Sequence, residues 1–172
     1  MISFSFSLFL FKILVNMETK AVEITEIETP LEETRSLNHS RLTYRISLQL
    51  AKYDAQYDIM PELELELAAG RAKPDICIFK NLVFNWEEDI IRYTEAPITA
   101  IEILSPTQAF DELTNKIRKV YFPSGVQSAW IVVPSIQAIH LFLPNQPVKI
   151  FTQGSIIDPV CQVEIGLSEI FC

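Results

Sequence analysis

Apolar and polar residues follow three rhythms along this chain, and each predicts a different element. Leu42, Ile46, Leu50 and Tyr53 recur at helical spacing, with Arg41, Arg45 and Lys52 on the polar side. The spacing predicts an amphipathic helix over residues 39–54 with Asn38 as its N-cap. From residue 59 to residue 67 the period drops to two, with Leu63, Leu65 and Leu67 set against Glu62, Glu64 and Glu66. That is the signature of a half-exposed strand. Ala69-Gly70 turns the chain, and Lys73-Pro74-Asp75 opens a second strand, DICIFK, apolar on both faces except for Asp75. Antiparallel pairing of these two strands is the simplest topology. Residues 81–97 form a polar connection carrying Trp86 and the acids Glu87, Glu88 and Asp89, with room for a short helix.

The third rhythm is a nearly unbroken apolar run over residues 98–104, in which Glu102 is the one charge. Continuous apolarity predicts a strand covered on both faces. Ser105-Pro106 stops it, Ser105 or Thr107 can cap a helix over residues 108–122, and Pro123-Ser124-Gly125 ends that helix. Strands follow over residues 126–133, 136–143 and 148–152, separated by proline-containing turns. The tail, residues 154–171, ends in a short SEIF turn. The order is helix, three strands, helix, three strands. It reads as a single α/β domain in which a crossover helix joins two neighbouring strands.

Composition narrows the function classes. The chain has 172 residues, 49% hydrophobic and 21% charged, enough to build one core. A net charge of −8 argues against a non-specific electrostatic nucleic-acid binder, although a local basic groove is compatible with it. Cys77, Cys161 and Cys172 are far apart and lack CxxC spacing, so neither a zinc site nor a disulfide framework is expected, which suits a cytoplasmic protein. Residues 1–16 are apolar, but Lys12 interrupts them and they are short for a bilayer span. They read as a mis-assigned start or an apolar N-terminal extension ahead of METKAVEI, with the domain occupying residues 17–172 and no stable membrane partner expected. Residues 18–37 read as an acid-rich, solvated lead-in.

The chemistry concentrates on two carboxylates. An ionised Glu102 in a doubly covered strand costs several kcal/mol unless a metal, a basic side chain or a proton compensates it. Asp75 opens one buried strand and Glu102 lies near the end of another, so the pair can share a divalent cation through oxygen ligands. The bland reading is a structural Asp at a strand entry and a Glu paired with Lys or Arg. On the crossover helix, Phe110, Leu113, Ile117, Val120 and Tyr121 form the apolar stripe and Lys116 flanks it. Lys116 is thus the cation best placed to reach Glu102, while a Glu112–Lys116 surface pair is the alternative. Asp111 reads as a helix N-terminal charge, and His39 as either a substrate or outer-ligand contact or a surface neighbour of the cap. His140 reads as structural or exposed. Trp130 and Tyr121 read as core or site-wall residues.

Lys73-Pro74-Asp75, Ile101-Glu102-Ile103-Leu104-Ser105-Pro106-Thr107, Asp111, Lys116, Tyr121, Gly125-Val126 and Trp130-Ile131-Val132 together resemble the Uma2 family. That family groups restriction endonuclease-like proteins abundant in cyanobacteria and related to the PD-(D/E)XK nucleases. The resemblance covers residues 39–171, including Asn38-His39 and the SEIF end. It implies a restriction-endonuclease-like mixed sheet flanked by helices, with Asp75 and Glu102 as the metal-binding acids. In the superfamily the lysine stands two residues after the acid, where this chain has Leu104. The resemblance therefore implies that its role has passed to a helix lysine, Lys116, with Lys119 or no lysine as alternatives. The Asp111–Lys116 and Lys116–Tyr121 spacings are each one residue longer than the family leads us to expect.

These readings converge on a Mg²⁺-dependent (or Mn²⁺-dependent) DNA endonuclease with Asp75, Glu102 and Lys116 as its catalytic set. Superfamily analogy adds the expectation of a homodimer. The competing expectation is a catalytically inactive nuclease-fold module that binds nucleic acid or a protein partner.

Overall fold

The computed structural model describes residues 35–172. The readings of residues 1–16 and of most of the acidic lead-in lie outside the described residues.

Helix α1 (Leu37–Leu50) begins two residues earlier than expected. Its N-cap is Ser36, whose hydroxyl accepts the His39 N–H at 3.2 Å, and Asn38 lies inside the first turn. A 3₁₀ turn (Ala51–Tyr53) prolongs it. Leu42, Ile46 and Leu50 all face the core.

The sheet contains six strands in the order β1-β4-β5-β6-β7-β8. They are β1 (Asp58–Pro61), β4 (Ile76–Phe79), β5 (Thr99–Ile103), β6 (Ser128–Val133), β7 (Ala138–Phe142) and β8 (Lys149–Phe151). All pairs are antiparallel except β5–β6, the pair joined by the crossover helix. Every residue of β4, β5 and β6 is buried, as two-sided coverage requires. One face carries Ile76, Ile78, Ile101, Ile103, Trp130 and Val132 against α1 and the C-terminal segment. The other carries Cys77, Phe79, Ala100, Ala129, Ile131 and Val133 against the crossover helix.

The single strand expected over residues 59–67 is two strands. After Pro61 the backbone enters the left-handed region at Glu62 (φ 55°), and the chain leaves the sheet. β2 (Leu65–Leu67) then pairs with β3 (Gly70–Ala72) in a separate hairpin. The alternation itself holds, with Leu65 and Leu67 buried and Glu64 and Glu66 exposed. What pulls the hairpin away is packing on the second face. Gly70 lies against Val120, and the Ala69 N–H donates to Ser124 Oγ at 3.1 Å. The expected pairing of β1 with DICIFK is present. The 81–97 connection holds no helix.

The crossover helix is also segmented. A regular α2 (Phe110–Lys116) passes into a π turn (Ile117–Tyr121) and a 3₁₀ turn (Phe122–Ser124), ended by Gly125 at φ 103°. After the meander, β9 (Ser155–Ile157) pairs with β10 (Glu164–Gly166), and the short α3 (Leu167–Ile170) closes the chain. Among the described residues no helix is long and apolar enough to cross a membrane.

Candidate active site

Strand register brings the two acids together. Ile76 pairs with Ile101, Cys77 with Ala100 and Ile78 with Thr99, so one further step sets Asp75 opposite Glu102. Directly opposed residues in an antiparallel pair share a face and have close Cβ atoms. Asp75 sits where β4 begins, with only 8% of its surface exposed. Its backbone carbonyl accepts the Glu62 N–H, continuing the β1 side of the ladder. Its carboxylate serves the other side, with Oδ2 accepting the Ile103 N–H at 2.6 Å. Oδ1 lies 2.9 Å from His39 Nε2, presented by the first turn of α1. The other imidazole nitrogen, Nδ1, is buried without a partner among the described residues. His39 is therefore a buried neighbour of the acid site and not a surface residue beside the cap.

Glu102 is 3% exposed and faces the crossover helix. Lys116 Nζ lies 3.2 Å from Oε1 and 3.4 Å from Oε2. The Tyr121 hydroxyl donates to Oε1. Burial pushes the Glu102 carboxyl up to about 7, the nearby Asp75 adds to the rise, and the Lys116 ammonium and Tyr121 hydrogen bond oppose it. Burial, then the Glu102 charge, also raises the Tyr121 phenol and the Cys77 thiol, so both remain protonated walls of the site. The Lys116 side chain is 24% exposed, which leaves its side of the site open to solvent.

Leu104, two residues after Glu102, packs in the apolar cluster beneath the crossover helix. No cation stands on that strand position, and the ammonium arrives from the helix. Lys119 lies on the exposed side. Asp111 is an exposed first-turn residue whose backbone carbonyl accepts the Thr114 hydroxyl, as a helix-terminal charge would be. His140 is half-buried, edge-on to Phe110 with ring centres 5.0 Å apart, and fastens the start of α2 to the sheet. Trp130 points to the α1 face and belongs to the core, whereas Tyr121 is part of the site.

One buried acid escaped the sequence reading. Asp158 is fully buried, and its Oδ2 accepts from Ser128 Oγ at 2.5 Å, Trp130 Nε1 at 2.7 Å and Thr99 Oγ1 at 3.4 Å. Its Oδ1 accepts the Val160 N–H at 2.8 Å. The local sequence, Asp158-Pro159, reads as an ordinary turn. Apart from the Val160 N–H, which makes only a local turn contact, its partners lie in β5 and β6, far away along the chain, so the local sequence does not mark its burial.

The sequence model of the Uma2 family, described as "Putative restriction endonuclease", matches residues 18–168. A solved structure described as "a putative nuclease belonging to DUF820 from Anabaena variabilis ATCC 29413" superposes with a TM-score of 0.67. It shares 22% identity, and the match covers 79% of this chain and 81% of that one. This likeness bears on the fold alone. No curated protein matches the sequence. With the family match spanning most of the chain, the protein belongs to the Uma2 family of restriction endonuclease-like proteins.

Proposed function

We propose that the protein is a divalent-metal-dependent DNA endonuclease, with Asp75 and Glu102 as metal ligands and Lys116 as the catalytic cation. The observation that carries this reading is the placement of Lys116 on Glu102 from the crossover helix, although the usual strand position holds Leu104. A buried acid whose pKa is raised by burial, set beside a second acid and a cation, is the pattern expected of a working site.

The donor set fits Mg²⁺ or Mn²⁺ in particular. Mg²⁺ is commonly held by one or two carboxylates, with water and substrate phosphate completing its shell. Asp75, one residue before β4, and Glu102 supply two such carboxylates next to the paired residues Ile76 and Ile101. Among the described residues no group of three or more His, Cys, Asp and Glu is arranged to hold a metal, so a closed protein cage of the structural-zinc kind is not on offer. When bound, the cation would polarise a scissile phosphodiester and acidify a water.

The chain's own groups supply the rest. The Ile103 N–H and His39 fix the Asp75 carboxylate in one orientation. Lys116, partly exposed, can exchange its hold on Glu102 for the developing charge on a phosphoryl oxygen. The Cys77 thiol and Phe79 ring form a dry wall on the same face. The test is nicking of supercoiled plasmid with Mg²⁺ or Mn²⁺. Wild type should nick, and Glu102→Ala and Lys116→Ala, shown to be folded, should not. Equal nicking by wild type and Glu102→Ala would sink the proposal.

A further inference from the structure

We propose that Tyr121 is a positioning residue for the metal-binding carboxylate, and that the π turn exists to deliver it. This rests on the metal-binding reading above and deepens it by assigning a role to a residue outside the Asp–Glu–Lys set. Lys116 and Tyr121 are five residues apart. On a regular α-helix that separation rotates two side chains about 140° apart, so both could not meet one carboxylate. In the π turn the Phe122 N–H reaches the Ile117 carbonyl, five residues back, and the widened turn returns Tyr121 to the side of Lys116. Both then end on Glu102. Single π turns inside helices are frequent at functional sites.

The two oxygens of Glu102 are consequently unequal. Among the described residues, Oε1 takes both the phenol and the ammonium, whereas Oε2 has the longer lysine contact at 3.4 Å. Tyr121 is fully buried, with its ring among Leu113, Ile117 and Ile131, so its hydroxyl is a fixed donor. It pins Oε1 and leaves Oε2 as the oxygen to be offered to a cation beside Asp75. Lys116 cannot do this alone, because a long, partly exposed chain does not define the carboxylate plane.

Calorimetric titration of Mn²⁺ into the metal-free protein tests the assignment. Loss of a partner that orients a metal ligand typically costs tenfold or more in affinity, so Tyr121→Phe should bind Mn²⁺ about tenfold more weakly with melting close to wild type. Mn²⁺ binding by Tyr121→Phe that equals or exceeds wild type would overturn the assignment, since a phenol that merely competes for Glu102 would weaken binding in the native protein. Deletion of Arg118, an exposed residue of the π turn, is the second variant and decides the matter if Tyr121→Phe does not fold. It lets a regular helix run, sets Lys116 and the tyrosine four residues apart on one face, and should keep Mn²⁺ affinity within about threefold of wild type. Loss of affinity by that deletion at native melting would overturn the role of the turn. A wild type that binds no Mn²⁺ at all overturns the metal reading itself and this assignment with it.

Discussion

Two carboxylates are buried against the parallel pair β5–β6, at opposite ends of it. Asp158 lies at the start of the pair and is held by Thr99, Ser128, Trp130 and the Val160 N–H. Glu102 lies toward its carboxyl end and is held by one phenol and one ammonium. The first is saturated by neutral, short-range donors that cannot leave without unfolding the surroundings. The second relies partly on a cation on a flexible stem with an open side. Burial alone therefore does not separate a structural acid from one proposed to hold a metal, since both are almost inaccessible. What separates them is whether the compensating groups can be exchanged. The carboxyl ends of parallel strands are also where open α/β sheets place their ligands, which agrees with Glu102 and not with Asp158.

The sharpest way to break this contrast is to remove each acid. Asp158→Ala leaves several buried donors unpaired and should cost about 3 kcal/mol or more in urea unfolding, with no dependence on added metal. Glu102→Gln should change stability by no more than about 1 kcal/mol at neutral pH, yet abolish plasmid nicking. If the two variants were equally unstable, the distinction between a structural and a functional acid would fail.

A second test uses Lys116. Lys116→Met removes the strongest influence lowering the Glu102 pKa, so the carboxyl should titrate still higher than about 7, as read by carboxyl NMR in the metal-free protein. Nicking should fall by on the order of a hundredfold or more, the usual cost of losing a transition-state donor. A third concerns pH. The Glu102 carboxyl is raised from 4.5 in the unfolded chain to about 7. The folded state thus binds its proton more tightly. Its contribution to stability is complete below pH 4.5, declines as pH rises, and is lost above about 7. Wild type should lose about 3 kcal/mol at most relative to Glu102→Gln over that window. A stability difference that stays flat from pH 4 to pH 8 would refute the shift. The smallest expected effect is Lys119→Ala, which should change neither nicking nor stability by more than about 0.5 kcal/mol.

Much of this was legible in the sequence where local pattern and tertiary environment agree. The run around Glu102 could only be a doubly covered strand, and its one charge pointed to a compensating partner. The apolar stripe of the crossover helix placed Lys116 on the correct flank. Reading failed where a contact is made by residues distant in sequence. His39 looked like a cap neighbour because its burial depends on Asp75. The hydroxyl and indole donors of Asp158 lie in β5 and β6. The break at Glu62 was invisible because the Leu/Glu alternation continues straight across it, and the hairpin departs to pack on the π turn and the 3₁₀ turn after it. Residues 81–97 form no helix, and Trp86 stacks on Phe84 in the open instead. The trace the π turn leaves in the sequence is the five-residue spacing of Lys116 and Tyr121, which a regular helix would place on different sides.

The decisive measurement on the Asp75–Glu102 pair is calorimetric titration of Mn²⁺ into wild type and Asp75→Asn. One Mn²⁺ should bind per wild-type chain and none to Asp75→Asn, with both proteins melting alike. Equal binding by the two, or no binding by a folded wild type, would contradict it.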